Sequence, residues 1–156
     1  MPTKTHAAAR NASPGAAPRR PRLSEGALLG LGPTNPITLA SEVKKGFRFG
    51  AYNRLLSSTK IDPAQLAKLV DISPRTLHRR KRGMLRPQES DRLLRFSRLF
   101  VQAVELFEGD EDAARRWLAT PLKALSGHAP LELASTDVGT REIEALIQRL
   151  EYGVLD

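Results

Sequence analysis

Apolar residues along this chain recur at helical spacing, and the pattern sets in near Thr38 or Ser41. From Ser41 to Leu56, the residues Val43, Phe47, Ala51 and Leu55 follow one another at four-residue steps, which predicts one continuous supporting helix with a single buried face. From Pro87 to Glu108 a longer helix is predicted. Leu93, Phe96, Phe100, Ala103 and Phe107 step by three and four, with Leu94, Val101 and Val104 beside them. That is more apolar circumference than a surface helix needs, so it either lies between two subdomains or pairs with a second chain. On the second reading Leu93, Phe96, Phe100 and Phe107 are the dimerisation residues. Asp110–Ala119 predicts a short amphipathic helix with Ala113, Trp117 and Leu118 inward, ended by Thr120 and Pro121. Pro130–Ala134 makes one further turn. Thr136 or Asp137 caps a last helix whose stripe is Ile143, Leu146, Ile147 and Leu150, and Gly153 permits a left-handed stop. No stretch alternates with strand period, so the predicted fold is all-α.

Between the first two long patterns stands DPAQLAKLVDISPRTLHRRKRG, from Asp62 to Gly83. Asp62 can cap one helix with Pro63 at its first position, and Ser73 with Pro74 repeats the start signal eleven residues later. Leu66, Ala67, Val70, Ile72 and Leu77 would lock the two short helices together. This is a helix-turn-helix pattern. The second helix leaves Arg75, Thr76, His78, Arg79, Arg80, Lys81 and Arg82 outward, with Ser73 at its start; these eight are the candidate DNA-contact residues. The competing reading of the same segment is a helical hairpin with a solvated basic face.

Charge separates the chain into zones. The formal net charge is +8, from 25 Lys+Arg against 17 Asp+Glu. Residues 37–87 hold twelve cations and three anions, whereas residues 109–156 hold five and nine. A basic middle suits a polyanion and an acidic end suits something else. Residues 1–36 carry six of the prolines with Ala, Gly and five cations between them, and read as a disordered basic tail. The implied organisation is this tail, a DNA-binding domain over 37–87, a connecting or dimerising helix over 88–108 and a third unit over 109–156.

The chain has no cysteine, which excludes a disulfide framework and thiolate chemistry and points to a reducing cytoplasm. No run reaches the roughly 18 apolar residues that a bilayer span requires, so no membrane partner is expected. His6, His78 and His128 are scattered, and with no metal-ligand spacing neither a metal site nor a cofactor is expected. Ser73, His78 and Asp71 are close in sequence, but a capping serine is a poor nucleophile, and no glycine-rich phosphate loop is present. An enzyme is not expected.

The run WLATPLKALSGHAPLELASTDVGTREIEALIQRLEYGV resembles the C-terminal toxin-binding domain of the Xre/MbcA/ParS-like antitoxins. The positions that carry the likeness are Trp117, Leu118, Pro121, Leu125, Gly127, Pro130, Leu131, Thr136, Gly139, Leu146, Glu151, Tyr152 and Gly153. The preceding helix-turn-helix resembles the Xre-type domain of the same family, and together the two parts span roughly Thr38 to Val154. Four positions depart from the family pattern. Leu122 replaces a usual Asn and Ala134 a common Leu; Asp71 stands at a turn position often held by Gly, and Arg80 at one that is frequently apolar.

The resemblance implies a type II antitoxin that forms a homodimer, binds operator DNA to repress its own operon, and neutralises an NAD-consuming RES-domain toxin. It further implies toxin contacts from Trp117, Pro121, Leu131, Tyr152, Gly153, Val154, Leu155 and Asp156, the last residues obstructing the toxin's active site. A permissive apolar tail behind a rigid helix can enter a concave cofactor pocket, and its acidic terminus can meet phosphate-binding cations there. Two other readings stay open at this point. One is a stand-alone repressor whose C-terminal part only dimerises; the other is a basic RNA-associated protein. Trp117 fits plain core packing as well as an interface.

Overall fold

The structure, a computed structural model, describes residues 22–153. These residues form nine α-helices: α1 Glu25–Leu28, α2 Pro36–Lys45, α3 Phe49–Thr59, α4 Pro63–Leu69, α5 Pro74–Arg80, α6 Pro87–Leu106, α7 Glu111–Ala119, α8 Pro130–Leu133 and α9 Asp137–Glu151. A 3₁₀ turn, Lys123–Leu125, lies between α7 and α8. Among the described residues there is no strand, only two isolated bridges, Arg48 with Met84 and Leu122 with His128. The fold is all-α.

The helix starts follow from local chemistry. Asp62 accepts the Ala64 and Gln65 amides at 2.9 and 3.2 Å, and Ser73 accepts Thr76 at 3.2 Å. Asp110 accepts Ala113 at 2.9 Å, and Thr136 accepts Gly139 at 3.0 Å. Each satisfies an amide that the first helical turn leaves without a partner.

One expected helix is two. The four-residue rhythm through Val43, Phe47, Ala51 and Leu55 is interrupted at Gly46, whose φ of 83° no L residue adopts without strain. The chain there runs against the segment before α6. Leu85 donates to the Phe47 carbonyl at 2.7 Å, Phe49 donates to that of Gly83 at 3.1 Å, and a Cβ on Gly46 would stand 2.1 Å from the Leu85 oxygen. The break buries Phe47 and Phe49 on both sides of the pairing.

Part of the expected tail is also structured. Order begins well before Thr38: Ser24 caps α1 by accepting the Ala27 amide at 3.2 Å, and Leu28 and Leu29 are each 2% exposed in the core. The short helix packs on α3 and α6. The sequence hid this because two leucines among Gly and Pro give no period. The remainder of the expected tail, residues 1–21, lies outside the described residues.

Helix α6 is the hub, touching α1, α2, α3, α4, α7 and α9. Leu93, Phe96, Leu99, Phe100, Val101, Ala103 and Val104 are all buried on it and belong to one continuous core shared by the helices before and after. This decides between the two readings of its apolar surface. Leu93, Phe96 and Phe100 fill the chain's own interior and present nothing to a second copy; Phe107 is half-buried against Trp117, with ring centroids 6.2 Å apart. The two halves are also tied by Arg115 of α7, whose guanidinium donates to the Thr59 carbonyl at 3.2 Å, at the negative end of α3. Arg115 pairs with Asp112 as well, and that hydrogen bond and charge hold the Asp112 carboxyl below its ordinary range.

Gly46→Ala is expected to cost at least about 3 kcal/mol, because the new Cβ meets backbone in a strained conformation. Gly50→Ala, where a Cβ meets nothing within 4 Å, should be neutral or stabilising by about 0.5–1 kcal/mol. Urea unfolding midpoints of the two variants check the contrast.

Candidate functional site

Helices α4 and α5 form the helix-turn-helix. Leu66, Ala67, Val70 and Ile72 are buried beneath it, and Leu77 is half-buried. The turn between them needs a left-handed residue, and Asp71 supplies it with φ 53°. Aspartate tolerates that conformation better than most L residues, and here its carboxylate lies 3.7 Å from the Arg92 guanidinium, which also donates to the Val70 carbonyl at 3.5 Å. The departure from glycine at this turn leaves the geometry of the motif in place.

The eight residues expected on the outer face do not all lie there. Arg75, His78, Arg79, Lys81 and Arg82 are exposed. Ser73 is exposed but its hydroxyl is engaged, accepting the Thr76 amide and donating to the Thr76 Oγ1 at 3.0 Å, so both residues serve the helix start. Arg80 is a correction to the outward set. Its side chain is 20% exposed and turns back, donating to the Met84 carbonyl at 3.0 Å and to Glu89 Oε1 at 3.4 Å. A position that is frequently apolar in the resembling family points inward, and here an arginine fills it with a carboxylate to meet its charge.

The C-terminal third is built on α7, α8 and α9. Ala114, Leu118, Leu125, Ala129, Pro130, Ala134, Ile143, Leu146 and Ile147 are buried in it. Gly139 allows the first turn of α9 to lie on the end of α8: a Cβ there would meet the Leu133 oxygen at 2.0 Å. Of the expected toxin contacts, Trp117 is half-buried on Phe107, and Pro121 is exposed. Leu131 lines a cavity of about 190 Å³ with Ile61, Phe96, Phe100 and Leu118. Tyr152 is 81% exposed, and Gly153 has φ 67°, the predicted left-handed stop. Val154, Leu155 and Asp156 lie outside the described residues.

Within this third an exposed apolar residue lies off the predicted stripe. Val138 is 72% exposed on the first turn of α9. It stands fourteen residues before Tyr152, which at about 100° per residue places the two within about 40° of each other and about 21 Å apart along one face. Half-buried Ala145 lies between them on that face. The signal was present in the sequence, since Val138 falls off the stripe formed by Ile143, Leu146, Ile147 and Leu150.

Comparison with known proteins assigns both halves. Residues 38–98 match the family described as the antitoxin Xre-like helix-turn-helix domain, and residues 102–153 match the antitoxin Xre/MbcA/ParS C-terminal toxin-binding domain. An Antitoxin Xre of Yersinia enterocolitica is 35% identical over 128 residues, covering 81% of this chain and 86% of that protein. An Antitoxin Xre of Photorhabdus laumondii is 28% identical over 122 residues, covering 77% and 74%. A third, from Pseudomonas putida, is 34% identical over 65 residues, covering 42% and 40%. The chain belongs to the Xre/MbcA/ParS-type antitoxins.

Membership of this antitoxin family implies a toxin partner and DNA binding through the helix-turn-helix, and it makes the protein an antitoxin rather than an enzyme. The boundary between the two matched domains falls at residues 99–101, inside α6, so the antitoxin's two functions share one uninterrupted helix. No described helix is long and apolar enough to cross a membrane.

Proposed function

We propose that this antitoxin neutralises an NAD-consuming RES-domain toxin through α9 and the chain after it, and represses its own operon through α5. The observation that carries the reading is the separation of two unlike surfaces on one core. Arg75, His78, Arg79, Lys81 and Arg82 stand out from the helix-turn-helix, while the exposed large apolar residues of the toxin-binding domain, Val138 and Tyr152, share a face of α9. The choice of a RES toxin rests on the family resemblance.

On the DNA side, α5 lies in the major groove. In this reading cations at its end meet phosphates, and the exposed Arg75 and His78 reach base edges. On the toxin side, exposed Val138 and Tyr152 with Arg141, Glu142 and Arg149 around them give the mixed apolar and charged face that protein interfaces use. Tyr152 and the residues following it then obstruct the toxin's active site. Repression by a homodimer needs a contact surface other than Leu93, Phe96 and Phe100, which the core occupies.

The defining experiment co-expresses the chain with the product of the neighbouring reading frame and follows cellular NAD. NAD preserved by the pair and lost with the partner alone supports the reading; unchanged NAD in both removes the RES assignment. Three outcomes are expected of variants. Deleting Tyr152–Asp156 restores NAD loss while leaving binding to a promoter duplex intact. Val138→Asp weakens the purified toxin complex at least about tenfold, read by calorimetry, again without effect on the duplex. Arg79→Ala weakens duplex binding and lowers the slope of log affinity against log salt by about one unit, the signature of one lost phosphate contact.

A further inference from the structure

Helix α5 is unusually weakly held for an element that must present side chains to DNA. It has seven residues, and none of them is buried. Leu77 reaches the protein only partly, and a cleft of about 410 Å³ opens between α5, at Leu77 and Lys81, and α3, at Phe49, Tyr52, Asn53 and Leu56. The Tyr52 hydroxyl in this region is buried without a hydrogen-bond partner. Apolar packing alone therefore does not fix the orientation of the helix. Its start is fixed by the Ser73 cap, which leaves its end.

The end is fixed by the first turn of α6. Glu89 is 8% exposed and spends its two oxygens on different tasks. Oε2 accepts the Arg86 amide at 2.7 Å and so closes the N-terminus of α6; Oε1 accepts from Arg80 at 3.4 Å. The other Arg80 nitrogen donates to the Met84 carbonyl at 3.0 Å. The next residue, Ser90, is fully buried; its hydroxyl accepts the Phe47 amide at 2.8 Å and donates to the Arg86 carbonyl at 3.0 Å. One turn of α6 thus holds its own cap, the entry to α3 and the end of α5.

We infer that Arg80 and Glu89 are positioning residues for DNA recognition: the pair sets the orientation of α5, and Arg80 touches no phosphate. The inference rests on α5 being the DNA-reading helix. Without the pair, ordering α5 becomes part of the cost of binding, which lowers affinity but removes no ion contact with DNA. Affinity and salt dependence then separate, whereas for a phosphate-contacting arginine they fall together.

The test measures binding to a fluorescent promoter duplex at several salt concentrations, with backbone amide exchange of the free protein alongside. Glu89→Gln is the main variant, because glutamine can still accept the Arg86 amide and keep the α6 start. Expected is an affinity about fivefold to tenfold lower for Glu89→Gln and for Arg80→Ala, with the salt slope of both unchanged. The double variant should bind no more weakly than Arg80→Ala alone. Exchange over residues 74–80 should quicken in Glu89→Gln while residues 137–151 stay as they were. A slope reduced by about one unit in Arg80→Ala would make Arg80 a phosphate contact and overturn the inference. Unaltered affinity and exchange in Glu89→Gln overturn it too, as does equal quickening in both segments. Should the unsubstituted chain fail to bind the duplex, that failure counts against operator repression, and the exchange result still decides whether the pair holds α5.

Discussion

Helix α6 carries buried side chains over about 200° of its circumference, from Leu99 round through Phe96, Phe100, Leu93 and Val104 to Val101. A single neighbouring helix covers much less than that, so the surface can be satisfied only by partners on several sides. The chain supplies them from both directions: α1 to α4 come from before it, and α7 and α9 from after it. Each large apolar side chain so buried contributes about 1.5–3 kcal/mol, which makes this one helix the main source of the fold's cohesion. The remaining arc holds Asp91, Arg95, Arg98, Gln102 and Glu105, and even there Arg98 reaches Glu144 of α9 at 3.2 Å.

A consequence is that the DNA-reading half and the toxin-binding half are not beads on a linker. Helix α5 ends on the first turn of α6 through Arg80 and Glu89, and α9 packs on α6. Arg115 adds a second tie, from α7 to the end of α3. A displacement of α9 would bear on the same helix whose first turn meets the end of α5.

What the sequence disclosed, and what it withheld, follow from the range of the interactions concerned. Caps at Asp62 and Ser73, and Thr136 as one of two candidates, were legible because cap and amide are two or three residues apart. The buried stripe of α9 was legible because period alone defines it. The break at Gly46 was not, since Val43, Phe47, Ala51 and Leu55 keep step across it; the cause is a backbone pairing with residues 83–85, far along the chain. Arg80 reads as one more cation in a run until Glu89 is found beside it. Leu28 and Leu29 were masked by their Gly- and Pro-rich surroundings, and Val138 by its place off the buried stripe of α9. Local rules gave the elements; contacts between distant residues decided which side chains face outward.

Charge shows the same dependence. Counted along the sequence, the last third is simply acidic. In the fold, much of that acidity is met within the chain. Asp137 lies 2.9 Å from Arg141 and 4.0 Å from Arg95, Glu144 pairs with Arg98, and Glu111 and Asp112 pair with Arg115. Most of these pairs are surface pairs, each of which contributes little to stability. Glu142 and Glu151, which form no ion pair among the described residues, stand beside Val138 and Tyr152 as local charges. The basic helix keeps the opposite arrangement. Apart from Arg80, its cations have no carboxylate partner among the described residues, so they retain the counterions whose release drives binding to a phosphate backbone. A surface that must hold nucleic acid by long-range attraction leaves its charges unpaired. On α9 the arrangement is mixed: Asp137 and Glu144 are paired within the chain, and Glu142 and Glu151 are not.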